Sequence, residues 1–128
     1  MSVRPDGEVY DWYVRALDLL DHGDAAAAAA LLEHTVAAEP ASRSAREALA
    51  RAQFDAGRYG AARVSFAAIL DGDPVDDYAR FGCGLCALKE GDYRGAVEHL
   101  ALAVAMRPEL RHYASALRRA RAALAGAP

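Results

Sequence analysis

The chain has 128 residues, of which 54% are hydrophobic and 26% charged, and its formal net charge is −3. This length fits a single domain, and the mildly acidic balance argues against nucleic-acid binding, which usually relies on a basic surface. The sequence starts without the apolar segment of a secretory signal and contains no run of 18 apolar residues, so we expect a cytoplasmic protein with no membrane span and no membrane partner.

Seven helices are predicted in chain order, after a short flexible tail at residues 1–7 that contains the breakers Pro5 and Gly7. Asp24, Ser42 and Asp76 can cap the helices that follow them, and glycine or proline ends the helices that precede them. The predicted ranges are about 8–21, 25–39, 43–56, 59–70, 77–90, 93–106 and 109–125. The fold class is therefore all-α.

A unit of 34 residues repeats three times along the chain. Pro40, Pro74 and Pro108 are each 34 residues apart, and a glycine keeps the same spacing. Residues 91–96 superpose on residues 57–62 when the sequence is moved by 34. We place the three copies at about residues 9–42, 43–76 and 77–110, within a single domain at residues 8–128. A repeat of this length indicates a helical solenoid.

The repeat resembles the tetratricopeptide repeat, a helix-turn-helix unit with small, aromatic and proline residues at set positions. The third copy carries the pattern at Cys83, Gly84, Ala87, Gly91, Tyr93, Ala96, Leu100, Ala103 and Pro108. The second copy carries it at Leu49, Ala50, Phe54, Gly57, Tyr59, Ala62, Phe66 and Pro74. The first copy is weaker, because Arg15, Ala25 and Thr35 replace the usual Leu, Tyr and Ala. The resemblance implies a right-handed α-solenoid of three repeats and a seventh, capping helix.

The seventh helix has features of a cap that ends the solenoid. Its apolar residues follow helical spacing and predict one face that docks on the last repeat. Arg118 and Arg121 stand where a further helix would need to pack. Residues 107–128 hold five arginines and one glutamate. We interpret this basic cluster as the solvated face of a cap, with a phosphate or nucleic-acid contact as the weaker alternative.

The other chemical motif is the C-x-x-C spacing of Cys83 and Cys86, in the middle of the fifth predicted helix. A redox pair is normally presented at a helix N-terminus, where the helix dipole lowers the thiol pKa, and a zinc site would need two more ligands. We therefore expect buried packing residues, no metal, no cofactor and no enzyme activity. A thiol redox or metal role of this pair is kept as a distant alternative.

The resemblance also implies that the first helix of each repeat lines a concave groove. The residues that we expect to bind a ligand there are Tyr10, Tyr13, Leu17, Arg51, Tyr78, Phe81, Gly82, Leu85, Leu88 and Arg119. By the same frame the second copy also contributes Ser44, Glu47, Ala48, Phe54 and Asp55. Relatives that grip the acidic tail of chaperones use a clamp of Lys, Asn and Arg. Those clamp positions are occupied here by Tyr13, Leu17, Ala48, Tyr78 and Gly82, so the clamp is expected to be absent.

The fifth predicted helix is apolar on nearly every side, since Arg80 is the only charged residue between Ala79 and Leu88. Its groove stripe, which includes Phe81 and Leu85, needs cover from a partner, unless the seventh helix folds over part of it. Gly82, unfavourable inside a helix, indicates a close approach either by a ligand or by a neighbouring helix.

The sequence therefore predicts a protein–protein adaptor whose groove holds a peptide or helix of another protein. The expected ligand is a short amphipathic segment with bulky apolar anchors and one carboxylate, which could pair with Arg51 or Arg119. The alternative is a self-associating structural protein that uses the same groove or its terminal helices. The arginine-rich composition, with a single lysine, is typical of a GC-rich bacterial genome.

Overall fold

The computed structural model describes residues 5–128. Over these residues the chain forms seven α-helices and no strand. The helices are α1 (Pro5–Asp21), α2 (Ala25–Ala38), α3 (Arg43–Asp55), α4 (Tyr59–Gly72), α5 (Asp77–Lys89), α6 (Tyr93–Met106) and α7 (Arg111–Gly126). None of these helices has the length and hydrophobicity that a bilayer-spanning segment requires.

The helices agree with the sequence prediction except at some ends. The helix α1 is already formed at Pro5, so three residues of the predicted tail are helical, because proline is tolerated in the first turn. The other four tail residues lie outside the described part of the chain. The helix α4 continues to Gly72, two residues further than predicted, and α7 starts at Arg111 rather than at residue 109.

The turn between the two helices of each repeat is built in the same way three times. Gly23, Gly57 and Gly91 have φ angles of 80°, 80° and 81°, a left-handed conformation that glycine adopts without steric cost. The amide after each glycine donates to a carbonyl five residues back, as Asp92 does to Ala87 at 2.9 Å. This pattern ends the first helix of the repeat and sets the direction of the second.

Each helix packs mainly on its neighbours in sequence, as expected for a solenoid. Ala28, Ala62 and Ala96, which are 34 residues apart, are all completely buried. One turn later in each copy a large side chain, Leu32, Phe66 or Leu100, is buried too. The buried residues form three consecutive clusters along the chain, one for each repeat with its following helix.

The last helix closes the solenoid, as the sequence predicted. The side chains of Tyr113, Leu117 and Ala120 are buried, and α7 packs against α6 and, more narrowly, α5. The Tyr113 hydroxyl donates a hydrogen bond of 2.7 Å to Oδ2 of Asp77 at the start of α5. Arg118 and Arg121 lie exposed on the opposite side.

The buried alanines generate a test of the repeat register. Ala62→Leu and Ala96→Leu should each lower the free energy of unfolding by about 1–3 kcal/mol, because the larger side chain overpacks a helix contact that has no free space. The exposed Ala67→Leu and Ala105→Leu, on the same two helices, serve as controls and should change it by less than about 0.5 kcal/mol. Urea denaturation followed by circular dichroism measures all four. Neutral effects at both buried positions would contradict the packing described here.

Candidate functional site

Two open cavities lie side by side on the surface formed by the first helices of the repeats. The first, between α1 and α3, has a volume of about 210 Å³ and is lined by Tyr13, Leu17, Ser44, Glu47, Ala48 and Arg51. The second, between α3 and α5, has a volume of about 210 Å³ and is lined by Arg51, Phe54, Asp55, Phe66, Tyr78, Phe81, Gly82 and Leu85. Arg51 borders both cavities, which are therefore adjacent, and we call the two together the groove.

Most of the residues predicted from the sequence lie in this groove. Those that line it are Tyr13, Leu17, Arg51, Tyr78, Phe81, Gly82 and Leu85. Tyr10 is 66% exposed and lines a neighbouring cavity of about 360 Å³ at the N-terminal end of α1. Leu88 packs with the cluster formed by α5, α6 and α7, and Arg119 is exposed on α7. These two side chains line neither groove cavity, and binding by any of the ten residues stays a prediction.

The groove stripe of α5 is covered in part by the chain itself. The ring of Phe81 stacks on Tyr113 of α7, with centroids 4.4 Å apart and an angle of 21° between the planes. His112 of α7 contacts the same ring edge-on at 5.3 Å. Tyr78, Phe81, Leu85 and Leu88 are all half-buried within the described chain. The seventh helix therefore covers part of the stripe, which was the alternative to burial by a partner alone. The rest of the stripe stays accessible to a partner.

Gly82 is explained by the packing of a neighbouring helix. A Cβ atom at this position would lie 2.5 Å from Cζ of Phe66, which belongs to α4. The glycine is buried, and its missing side chain lets the Phe66 ring reach the floor of the cavity between α3 and α5. The alternative expectation, that a ligand approaches this backbone, is not required. Phe66 was missed as a groove residue because it lies on the second helix of its repeat.

The centre of the groove carries three charged side chains on one face of α3. Glu47, Arg51 and Asp55 are spaced four residues apart, so they lie one above the other. Nε of Arg51 is 4.0 Å from Oδ2 of Asp55. The predicted pairing of Arg51 with a ligand carboxylate must therefore compete with an acid of the protein, and the three side chains together have a net charge of −1.

Glu47 has the most unfavourable environment of the three. Burial raises the pKa of its carboxyl group, the negative charge of Asp76 raises this pKa further, and Arg43 lowers it. Burial also raises the pKa of the Tyr78 hydroxyl, with an added contribution from Glu47. Both shifts indicate that charge is poorly solvated where α3 faces the N-terminal part of α5. The repeat pattern of the sequence predicted that Glu47 lies in the groove, but it did not predict that its carboxylate is poorly solvated.

Cys83 and Cys86 are free and buried in the C-terminal half of α5, away from the N-terminus of the helix. Burial raises the pKa of both thiols, that of Cys86 to about 12. A thiol with a raised pKa stays protonated and is a poor nucleophile and metal ligand, which supports a packing role. The described residues contain no group of three or more His, Cys, Asp or Glu side chains that could hold a metal ion.

The burial of Glu47 has a measurable consequence for stability. Because its pKa is higher in the fold than in the unfolded chain, its ionisation opposes folding at about pH 7, and this cost disappears as the pH falls through the raised pKa. Glu47→Gln should therefore raise the melting temperature by roughly 1–4 °C at about pH 7 and give no gain at about pH 4. The charged groups of the fold that act on the pKa of Glu47 are Asp76 and Arg43.

Thermal melts of the wild type and of Glu47→Gln between about pH 4 and about pH 7 measure this difference in melting temperature. The control is Glu98→Gln, which removes an exposed carboxylate on α6 and should leave the melting temperature unchanged. A less stable Glu47→Gln protein at about pH 7 would mean that the fold compensates the Glu47 charge, contrary to the environment of this side chain.

Comparison with known proteins identifies the family. A tetratricopeptide repeat model matches residues 19–82, which is half of the chain. No curated protein matches the chain. Among solved structures, the first tetratricopeptide domain of Spaghetti (RPAP3), bound to the HSP90 peptide SRMEEVD, has a TM-score of 0.85 and 14% identity. The match covers 92% of this chain and 94% of that chain.

Two structures of a bacterial chaperone share the same fold. The type III secretion chaperone SycD of Yersinia enterocolitica, in complex with a peptide of the translocator YopD, has a TM-score of 0.80 and 18% identity, over 90% of this chain and 93% of that chain. An alternative dimer of SycD has a TM-score of 0.78 and 19% identity, over 88% and 91% of the two chains. Together with the 34-residue period and the seven packed helices, the family match shows that this chain belongs to the tetratricopeptide repeat family.

Proposed function

We propose that the protein is a non-catalytic interaction module that holds a peptide or helix of a partner protein in the groove. The observation that carries this proposal is the pair of adjacent cavities, one polar and one aromatic, on the surface that the three first helices share. The cavities are open, and small apolar and aromatic side chains beside a few charged ones are the usual lining of a ligand site. Residues 8–128 would act as a single binding unit.

Structural relatives support the same kind of function. The Spaghetti domain is bound to an HSP90 peptide, and SycD is in complex with a peptide of YopD. The ligand of this chain should differ from the acidic HSP90 peptide, since Tyr13, Ala48 and Gly82 are among the residues at the positions expected for the carboxylate clamp. A cytoplasmic location and a bacterial origin stay predictions from the sequence.

Charge reversal in the groove tests the proposal. Arg51→Glu changes an exposed side chain that borders both cavities, and Arg94→Glu makes the same change at an exposed site on α6. Quantitative affinity purification from cell extract, followed by direct titration of the recovered partner, should show an affinity changed about 10-fold or more by Arg51→Glu alone. Circular dichroism spectra of both variants should match the wild type, with a slightly lower melting temperature for Arg51→Glu, which stacks a third acid with Glu47 and Asp55. Equal changes of affinity for the two variants, or no change for Arg51→Glu, would contradict binding in the groove.

A second candidate function is self-association through the terminal helices. The exposed face of α7 carries Arg111, Arg118, Arg119 and Arg121, and none of these makes an ion pair with the side chains of residues 7–128. The helix α1 at the other end exposes Glu8, Asp11, Asp18 and Asp21. These opposite charges favour a head-to-tail contact between copies. The dimer of SycD shows that a relative with this fold can associate.

Light scattering at low and high salt decides whether this second function is used. A head-to-tail contact through charges should give oligomers at about 20 mM salt that dissociate at about 500 mM, because salt screens exposed charges. The double variant Arg118→Glu with Arg121→Glu should be monomeric at both, whereas Arg94→Glu should behave as wild type. A wild-type protein that is monomeric under every condition excludes this function and leaves the groove proposal intact.

A further inference from the structure

Glu47 is a carboxylate for which the fold supplies no ion-pair partner. Its two neighbouring arginines on α3 are each paired with other acids. Arg43 lies 2.7 Å from Oδ2 of Asp73 and 3.7 Å from Oδ2 of Asp76, and Arg51 lies 4.0 Å from Oδ2 of Asp55. Within residues 5–128 no cation forms a salt bridge with Glu47, although this side chain is half-buried.

The position of Glu47 makes its charge available to a ligand. It lines the open cavity between α1 and α3, together with Tyr13 and Leu17. An incompletely solvated carboxylate is costly without a cation or hydrogen-bond donors. Burial and the charge of Asp76 both raise the pKa of Glu47, and Arg43 offsets this rise only in part, in agreement with a negative charge that is incompletely compensated. A cation entering this cavity would remove that cost.

The second cavity has a different chemistry. Its walls are mainly Phe66, Tyr78, Phe81 and Leu85, and its volume is about 210 Å³. An apolar cavity of roughly 150 Å³ is enough to hold benzene, so this one has room for a Leu, Met or Phe side chain. Both cavities border the Arg51 side chain, and an extended chain advances about 3.3 Å per residue. One segment can therefore fill both cavities with side chains about two to four positions apart.

We propose that the groove recognises a basic–apolar segment of a partner protein: a Lys or Arg side chain pairs with Glu47 between α1 and α3, and a bulky apolar side chain fills the cavity between α3 and α5. This inference rests on the proposed function and replaces the acidic group that the sequence suggested for the ligand. The net charge of −1 on Glu47, Arg51 and Asp55 favours a cationic ligand over an anionic one.

Selection from a random peptide library tests the ligand class directly. A phage library of 12-residue peptides is selected on the wild-type protein and on Glu47→Gln. Wild-type selections should be enriched in peptides that place Lys or Arg two to four positions from a bulky apolar residue. Selections on Glu47→Gln should keep the apolar preference and lose the basic one. The Glu98→Gln control should give the wild-type pattern.

A double-mutant cycle then measures the interaction between Glu47 and the basic side chain of the peptide. The best selected peptide and a version with its basic residue replaced by Met, both amidated and free of acids, are titrated against the wild type, Glu47→Gln and Glu98→Gln. Either single change, in the peptide or at Glu47, should weaken binding about 5–20-fold, and the change in the peptide should cost less than about 2-fold once Glu47 is replaced. Glu98→Gln should bind both peptides like the wild type.

The outcomes separate the two proposals. Peptides that compete in the groove but carry neutral or acidic residues at this position, or a cycle without coupling, overturn the cation site and leave the groove as a binding site. A library that yields no peptide sensitive to Arg51→Glu overturns the groove itself, and with it this inference. Coupling between the basic side chain and Glu47 establishes the pair.

Discussion

The architecture depends on how closely the two helices of a repeat approach each other. Ala16 and Ala28 share one buried cluster, and Ala50 and Ala62 share the next. In the third copy the small residue is Gly84, and a Cβ there would lie 2.6 Å from Cγ of Leu100. A side chain of ordinary size at these positions would push the helices apart. Because every repeat has a small residue at this contact, the repeats can stack with a constant offset.

The groove follows from that regular stacking. The constant offset places the first helices α1, α3 and α5 side by side, so residues that are 34 positions apart face the same surface. A few residues that differ from the repeat pattern then determine the shape and charge of this surface. Gly82 admits the Phe66 ring from the layer behind, which gives one cavity an aromatic floor. Glu47 introduces a poorly solvated charge into the other. The repeat therefore builds the frame, while a few irregular residues give the groove its chemistry.

The sequence predicted the frame well, because the frame repeats. The glycine turns, the buried alanines and the closing helix all have signals at fixed spacing, and each was found where expected. The surface was harder to predict because it depends on contacts between distant residues. The stack of Phe81 on Tyr113 joins two residues of α5 and α7 that are 32 positions apart, and no local sequence pattern predicts this contact. The lack of a cation for Glu47 also becomes visible only when the ion pairs of Arg43 and Arg51 are known.

The attachment of α7 has a consequence for motion in the molecule. In a linear array the terminal helix is held by one neighbour and is the first to fray. Here α7 also reaches past α6 to α5, through the bond from Tyr113 to Asp77 and the stack on Phe81. Phe81 borders the groove, so opening of the terminal helix would free one side of a ring that lines a cavity. A ligand that holds this ring in place should therefore slow amide exchange in α7, although no residue of α7 lines the cavity itself.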